Sequence, residues 1–124
     1  MNIQSHPRKL IKWRTIVPVR CVAPGSFAGP VLDLGNANLN PSTIDGRWVI
    51  MIPSLSEDFF PIAARSLGVI SRRGGACSHL AVILREMGLP VVVLLDDTFE
   101  PRDPSFYARF PEADGLMDKM ICEF

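Results

Sequence analysis

The sequence predicts an α/β domain organised around one parallel βαβ unit, and three observations carry that reading. Residues 68–95 run strand, loop, helix, strand. Within the helical stretch, Leu80, Ile83, Leu84 and Met87 stand at i, i+3, i+4 and i+7, the spacing of one buried stripe. The run that follows, Pro90–Leu95, is continuously apolar and valine-rich, as in a strand buried on both faces of a parallel sheet. A chain of 124 residues is one domain's worth, long enough to bury a core.

Taken in order, Ile16–Val22 reads as a strand, and Pro18 inside it predicts an edge position because proline cannot donate to a ladder. Pro24-Gly25 marks a turn, and Gly29 precedes a second strand near Pro30–Leu34. Gly35–Gly46, rich in Asn, Pro, Ser and Thr, reads as loop, and Trp48–Ile52 as a third strand. Ser56, with Glu57 and Asp58 after it, marks the approach to a helix carrying Phe59, Phe60, Ile62, Ala63 and Leu67, with Pro61 in its first turn. Gly68–Ser71 is a short strand. For the helix after it, Ser78 is the expected N-cap, Gly88 fits the C′ position and Pro90 blocks continuation. The strands on either side are therefore expected to be parallel, joined by a right-handed crossover. From Asp96 onward there are eight acids and three bases, with Pro101, Pro104 and Pro111. That tail predicts irregular surface structure with one short helix around Phe106–Phe110. No internal repeat is visible.

Composition excludes several classes. With 48% hydrophobic and 21% charged residues, the chain is neither disordered nor collagen-like. No apolar stretch approaches the 18 residues of a membrane span, and the first 20 residues lack a signal peptide's apolar region. A formal net charge of zero argues against a surface spread over nucleic acid. Cys21, Cys77 and Cys122 make an odd count with no CxxC pair, so no disulfide framework is expected and a reducing cytoplasm is the default location. Charge is nevertheless segregated. Residues 1–20 hold Arg8, Lys9, Lys12, Arg14 and Arg20 with no acid, while the rest of the chain carries an excess of five acids. A basic leader of this kind fits a solvated extension, a docking segment for an acidic partner, or a transit peptide.

The chemistry lies in the loop that opens the central helix, Arg72-Arg73-Gly74-Gly75-Ala76-Cys77-Ser78-His79. Two glycines let the backbone approach a ligand closely. The helix start adds unpaired N–H donors and partial positive charge, which suit phosphate. His79 stands in the first turn, where the helix dipole disfavours the imidazolium by roughly 0.3–1 kcal/mol. A neutral imidazole beside an anion cradle is what a phosphate-accepting nucleophile requires. Other readings fit the same residues. A lone histidine at a helix start is commonly a surface residue. Cys77 and His79 could ligate a metal if His6, Cys21 or Cys122 converged on them. Neither GxGxxG nor GxxxxGK[ST] is present, and no arginine follows Cys77 as a cysteine phosphatase would need. Arg72 and Arg73 are candidates for steering phosphate or for plain solvated charge. Glu86 falls seven residues after His79, roughly 10 Å along the axis, too far to orient the ring, so Arg85 and Glu86 read as structural residues. No carboxylate cluster stands beside the loop to hold magnesium, and the adjacent Asp96 and Asp97 point to opposite faces of a strand.

The block Gly68-Val-Ile-Ser-Arg-Arg-Gly-Gly-Ala-Cys-Ser-His-Leu-Ala-Val-Ile-Leu-Arg-Glu-Met-Gly-Leu-Pro-Val-Val-Val93 closely resembles the swivelling phosphohistidine (mobile) domain of phosphoenolpyruvate-utilising enzymes. That family includes pyruvate phosphate dikinase, phosphoenolpyruvate synthase, rifampin phosphotransferase and enzyme I of the sugar phosphotransferase system. Ala23-Pro-Gly-Ser-Phe-Ala-Gly-Pro-Val31 resembles its opening glycine turn, and Gly46-Arg-Trp-Val-Ile-Met-Ile-Pro53 the strand before its helix. The resemblance implies a three-layer swivelling β/β/α domain over residues 19–95, preceded by a basic extension at 1–18 and followed by an acidic segment, 96–124, packed on the domain. It implies His79 as the phosphorylated residue, Gly74, Gly75, Cys77 and Ser78 around the phosphoryl oxygens, and Ser78 as both cap and orienter of the ring. Where the family commonly has threonine this chain has Cys77, and the acidic residue that often precedes the glycine pair is replaced by Arg72-Arg73. The expected role is a phosphocarrier serving a phosphotransferase or dikinase, inactive as an isolated chain. No cofactor is expected on this chain itself; Mg2+ with ATP or phosphoenolpyruvate belongs on partners, an ATP-grasp domain and a phosphoenolpyruvate-, pyruvate- or acceptor-binding domain. Neither nucleic acid nor membrane is an expected partner. The alternative is a non-catalytic binding or regulatory module descended from the same fold.

Overall fold

Seven short strands close on one another in the computed structural model, which describes residues 14–35, 48–96, 107–110 and 118–123. In chain order the elements are β1 (Arg14–Ala23), β2 (Phe27–Asp33), β3 (Val49–Ile52), a 3₁₀ turn (Glu57–Phe59) leading into α1 (Phe60–Ala63), β4 (Gly68–Ser71), α2 (His79–Glu86), β5 (Val91–Leu94), β6 (Tyr107–Phe110) and β7 (Asp118–Glu123). The order around the barrel is β1-β5-β4-β3-β2-β6-β7, with β7 returning to β1. Strands β2 to β5 are mutually parallel, and the remaining pairings are antiparallel. The α/β class holds. What the resemblance pictured as two sheet layers is here one mixed sheet, closed on itself.

Alternation along the strands divides the apolar residues into two cores. One set fills the barrel: Val17, Val19, Phe27, Val31, Val49, Met51, Ile70, Val92, Leu94, Ala108, Phe110 and Met120, with every strand represented. The intervening residues, among them Ile50, Ile52, Val69, Val91 and Val93, pack outward against Ile62 and Ala63 of α1 and Leu80, Ala81 and Leu84 of α2. Because β3, β4 and β5 are covered on both sides, all their residues are buried, and β3 and β5 read in sequence as unbroken apolar runs. Gly68 is required by this packing, since a Cβ there would lie 2.5 Å from the Phe27 ring.

Several expectations are corrected. Strand β1 is not an edge strand: it pairs with β7 over Arg14–Val19 and with β5 over Val19–Ala23. Pro18 is tolerated because it lies just beyond the β5 ladder, where only its carbonyl is used, accepting from the Leu95 N–H at 3.3 Å. The helix after Ser56 is shorter than its apolar residues implied and ends before Leu67, which is exposed. Along α2 the buried residues are Leu80, Ala81 and Leu84; Ile83 is half-buried and Met87 is 48% exposed. In the acidic tail, the segment expected to be irregular with a helix at Phe106–Phe110 contributes two strands instead. Ala108 and Phe110 point inward and Arg109 outward, a period of two that the prolines obscured. The Phe110 ring meets that of Phe27 at a centroid distance of 5.6 Å. Since β1 starts at Arg14, residues 14–18 of the supposed extension are part of the sheet. The predicted loop at 35–46 lies, apart from Gly35, outside the described residues, as do most of the basic leader and His6.

Candidate functional site

Strand β4 ends at Ser71, and the chain turns over the rim of the barrel before α2 begins. Ser71 is wholly buried, and its hydroxyl donates to the Arg73 carbonyl at 2.6 Å, which tightens the exit from the strand. Gly74 follows at φ +126°, a conformation open to glycine, and a Cβ there would lie 2.7 Å from Leu55 Cδ1. Gly75 differs: nothing stands within 4 Å of where its Cβ would be. Gly74 is glycine because the fold needs it. No packing constraint explains Gly75, and the space above it is open to a ligand.

The next turn is closed by the Ser78 N–H donating to the Gly75 carbonyl at 3.1 Å. Ser78 caps α2 as its position predicted, its Oγ accepting from the Ala81 N–H at 3.2 Å. Among the described residues no hydrogen bond engages the backbone N–H groups of Ala76, Cys77, His79 or Leu80. These donors and the helix start form a small electropositive rim.

His79 is the first residue of α2, and its Nδ1 lies 2.9 Å from Oε1 of Glu57. Both side chains are 64% exposed, so the ring is held yet open to a large partner. With Nδ1–H donating to the carboxylate, Nε2 carries the free lone pair. The orienting contact on the ring is thus made by Glu57, not by Ser78, whose oxygen serves the helix. Glu57 was read in the sequence only as part of a helix approach. Ser56, whose Oγ accepts from the Asp58 N–H at 3.3 Å, holds the turn that presents it. A separation of 22 residues gives no local signal of such a pair; the hint was a carboxylate at the end of the strand-loop segment neighbouring β4. Glu86 is exposed on α2.

The two loop arginines part company. Arg72 donates its backbone N–H to Ile52 and places Nη2 3.6 Å from Asp33 Oδ2 at the end of β2, while Arg73 is exposed. Cys77 is an exposed free thiol, and Cys21 sits against the barrel core, its thiol donating to the Ala23 carbonyl. Glu57 and His79 would be two metal ligands, but among the described residues no group of three His, Cys, Asp or Glu is gathered. Among the described residues no helix is long and apolar enough to cross a membrane.

Comparison with known proteins bears on this site. The family model for the mobile domain of PEP-utilising enzymes matches residues 44–116, which include Glu57, the glycine loop and α2. The chain is 28% identical over 131 residues to a probable phosphoenolpyruvate synthase of Pyrococcus abyssi, covering 96% of this chain and 16% of that protein. It is 29% identical over 82 residues to the phosphoenolpyruvate synthase of Pseudomonas aeruginosa, covering 66% of this chain and 10% of the other. Against that of Escherichia coli K12 it is 32% identical over 73 residues, 59% of this chain and 9% of the other. The chain therefore spans a small fraction, 16% or less, of these relatives' length.

Proposed function

The chain belongs to the mobile-domain family of PEP-utilising enzymes, and from that premise we propose that it is a phosphocarrier that accepts a phosphoryl group on Nε2 of His79 and hands it on. The observation that carries this reading is the imidazole fixed through Nδ1 by Glu57 at the start of α2, beside an open glycine. In the forward step the Nε2 lone pair forms an N–P bond while the bond from phosphorus to the donor's bridging oxygen breaks, its electron pair leaving with that oxygen. The ring becomes cationic as the bond forms, and the Glu57 carboxylate on Nδ1–H offsets that charge. Backbone N–H groups of the loop and helix start, with Gly75 leaving room, would receive the phosphoryl oxygens. Attack by an acceptor oxygen then breaks the N–P bond and regenerates the imidazole.

Donor and acceptor belong to other domains or chains: an ATP-grasp module binding ATP with Mg2+, and a module binding phosphoenolpyruvate, pyruvate or another acceptor. The carrier would swivel between them. Phosphoryl transfer rests on positioning and charge neutralisation; in this reading His79 supplies the nucleophile and the partner module supplies the nucleotide clamp. With a donor system supplied, intact-mass analysis under alkaline conditions is expected to show one acid-labile phosphate, absent in His79→Asn and retained in His6→Asn. A label that survives in His79→Asn refutes the assignment.

A further inference from the structure

Strand β1 carries an irregularity near its C-terminal end. Its ladder with β5 runs Val19↔Leu94, Arg20↔Val93, Cys21↔Val92 and then Ala23↔Val91, so Val22 is the extra residue of a bulge. The carbonyl of Val22 is taken up by Arg85 near the end of α2, whose Nε and Nη2 donate to it at 3.1 and 2.9 Å. The same Nη2 also donates to the carbonyl of Ala76 at 2.8 Å. Side chains on a helix lean toward its N-terminus, so Arg85 reaches back along α2 to the loop that precedes it. One planar guanidinium thereby ties the β1 bulge to the turn between Gly75 and Ser78.

Resting on the phosphocarrier reading, we propose that Arg85 is the positioning residue of the phosphoryl cradle: it aims and polarises the Ala76–Cys77 peptide so that the Cys77 N–H donates to the phosphoryl group on His79. A trans peptide is planar, with its C=O and N–H pointing in opposite directions. Fixing the Ala76 oxygen on the guanidinium therefore turns the Cys77 N–H away from Arg85, and that N–H has no partner among the described residues. A charge-assisted bond to the carbonyl also strengthens the N–H of the same peptide as a donor. The Cys77 side chain has no part in this.

Potassium phosphoramidate tests this without a protein donor. Nε2 attacks phosphorus, the P–N bond breaks, ammonia departs with the bonding pair, and the imidazolium proton stays on Nδ1. His6, the other histidine of the chain, is the internal reference. In the wild type, His79 is expected to be labelled ahead of His6, and the Cys77 amide proton to move downfield on phosphorylation. In Arg85→Gln the His79-to-His6 ratio is expected to fall about fivefold, the worth of one hydrogen bond, and the Cys77 displacement to be lost. Arg85→Lys keeps the charge without the fork and is expected to show a reduced displacement, which preserves the comparison if the glutamine variant does not fold. A wild-type Cys77 displacement in either folded variant overturns the proposal while leaving the phosphocarrier reading intact. If the wild type shows neither a preference for His79 nor any response of the loop amides, both fall together.

Discussion

The barrel interior and the loop above its rim answer to different physics. Inside, twelve apolar residues from all seven strands are closed off from water, and none of them is titratable. Above the rim, the chain from Arg73 to His79 keeps its side chains half or wholly exposed, leaves several N–H groups without partners, and holds its imidazole by one exposed contact with Glu57. Stability resides in the first region, and the proposed chemistry in the second. The loop packs on the outer core where Gly74 meets Leu55, and it is tied to the sheet where the buried Ser71 donates to the Arg73 carbonyl. The proposed carrier, presenting its nucleophile to separate partners, would gain from this division, because the loop can stay open while the barrel bears the cost of folding.

The sharpest way to break the comparison is to damage the interior alone. Phe110→Ala empties a fully buried site against Phe27 and is expected to lower unfolding free energy by about 3–5 kcal/mol in urea titrations. The fraction that remains folded should still take phosphate from phosphoramidate at the wild-type rate; a rate that falls in folded protein would mean the two regions are coupled.

The adjacent glycines sharpen the boundary. Gly74→Ala forces a side chain into a left-handed conformation against Leu55 and is expected to cost about 1–3 kcal/mol, read as a lower urea midpoint. Gly75→Ala meets open space and should leave the midpoint within about 0.5 kcal/mol of wild type, while slowing phosphorylation of His79 at least several-fold. Equal stability losses in the two variants would erase the distinction drawn between them.

The smallest structural effect belongs to Glu57. Even as an ion pair, a contact this exposed contributes no more than about 0–1 kcal/mol, so Glu57→Gln should be nearly silent in stability. It is nevertheless expected to slow His79 labelling on the order of tenfold, as loss of the group that orients a reactive imidazole does in metal sites. Wild-type labelling kinetics in Glu57→Gln would show that the contact is incidental.

What the sequence determined by itself was local: the βαβ unit over 68–95, the Ser78 cap, the glycine loop and His79 at the helix start. Each is written in neighbouring residues, through turn chemistry, capping and β-branched runs whose preferences act over a few positions. The tertiary structure alone decided the rest. Glu57 reaches His79 because parallel pairing of β3 with β4 brings two loops to the same rim. Tyr107–Phe110 became a strand because β2 and β7 offered it ladders and Phe27 offered a ring, which outweighed a composition read as irregular. Met87 stayed exposed because only one narrow face of α2 meets the sheet. Arg85 found its two carbonyls only once a bulge in β1 had freed one of them. Pairings of this kind join residues tens of positions apart, and their free energy comes from contacts that exist only after the chain has closed.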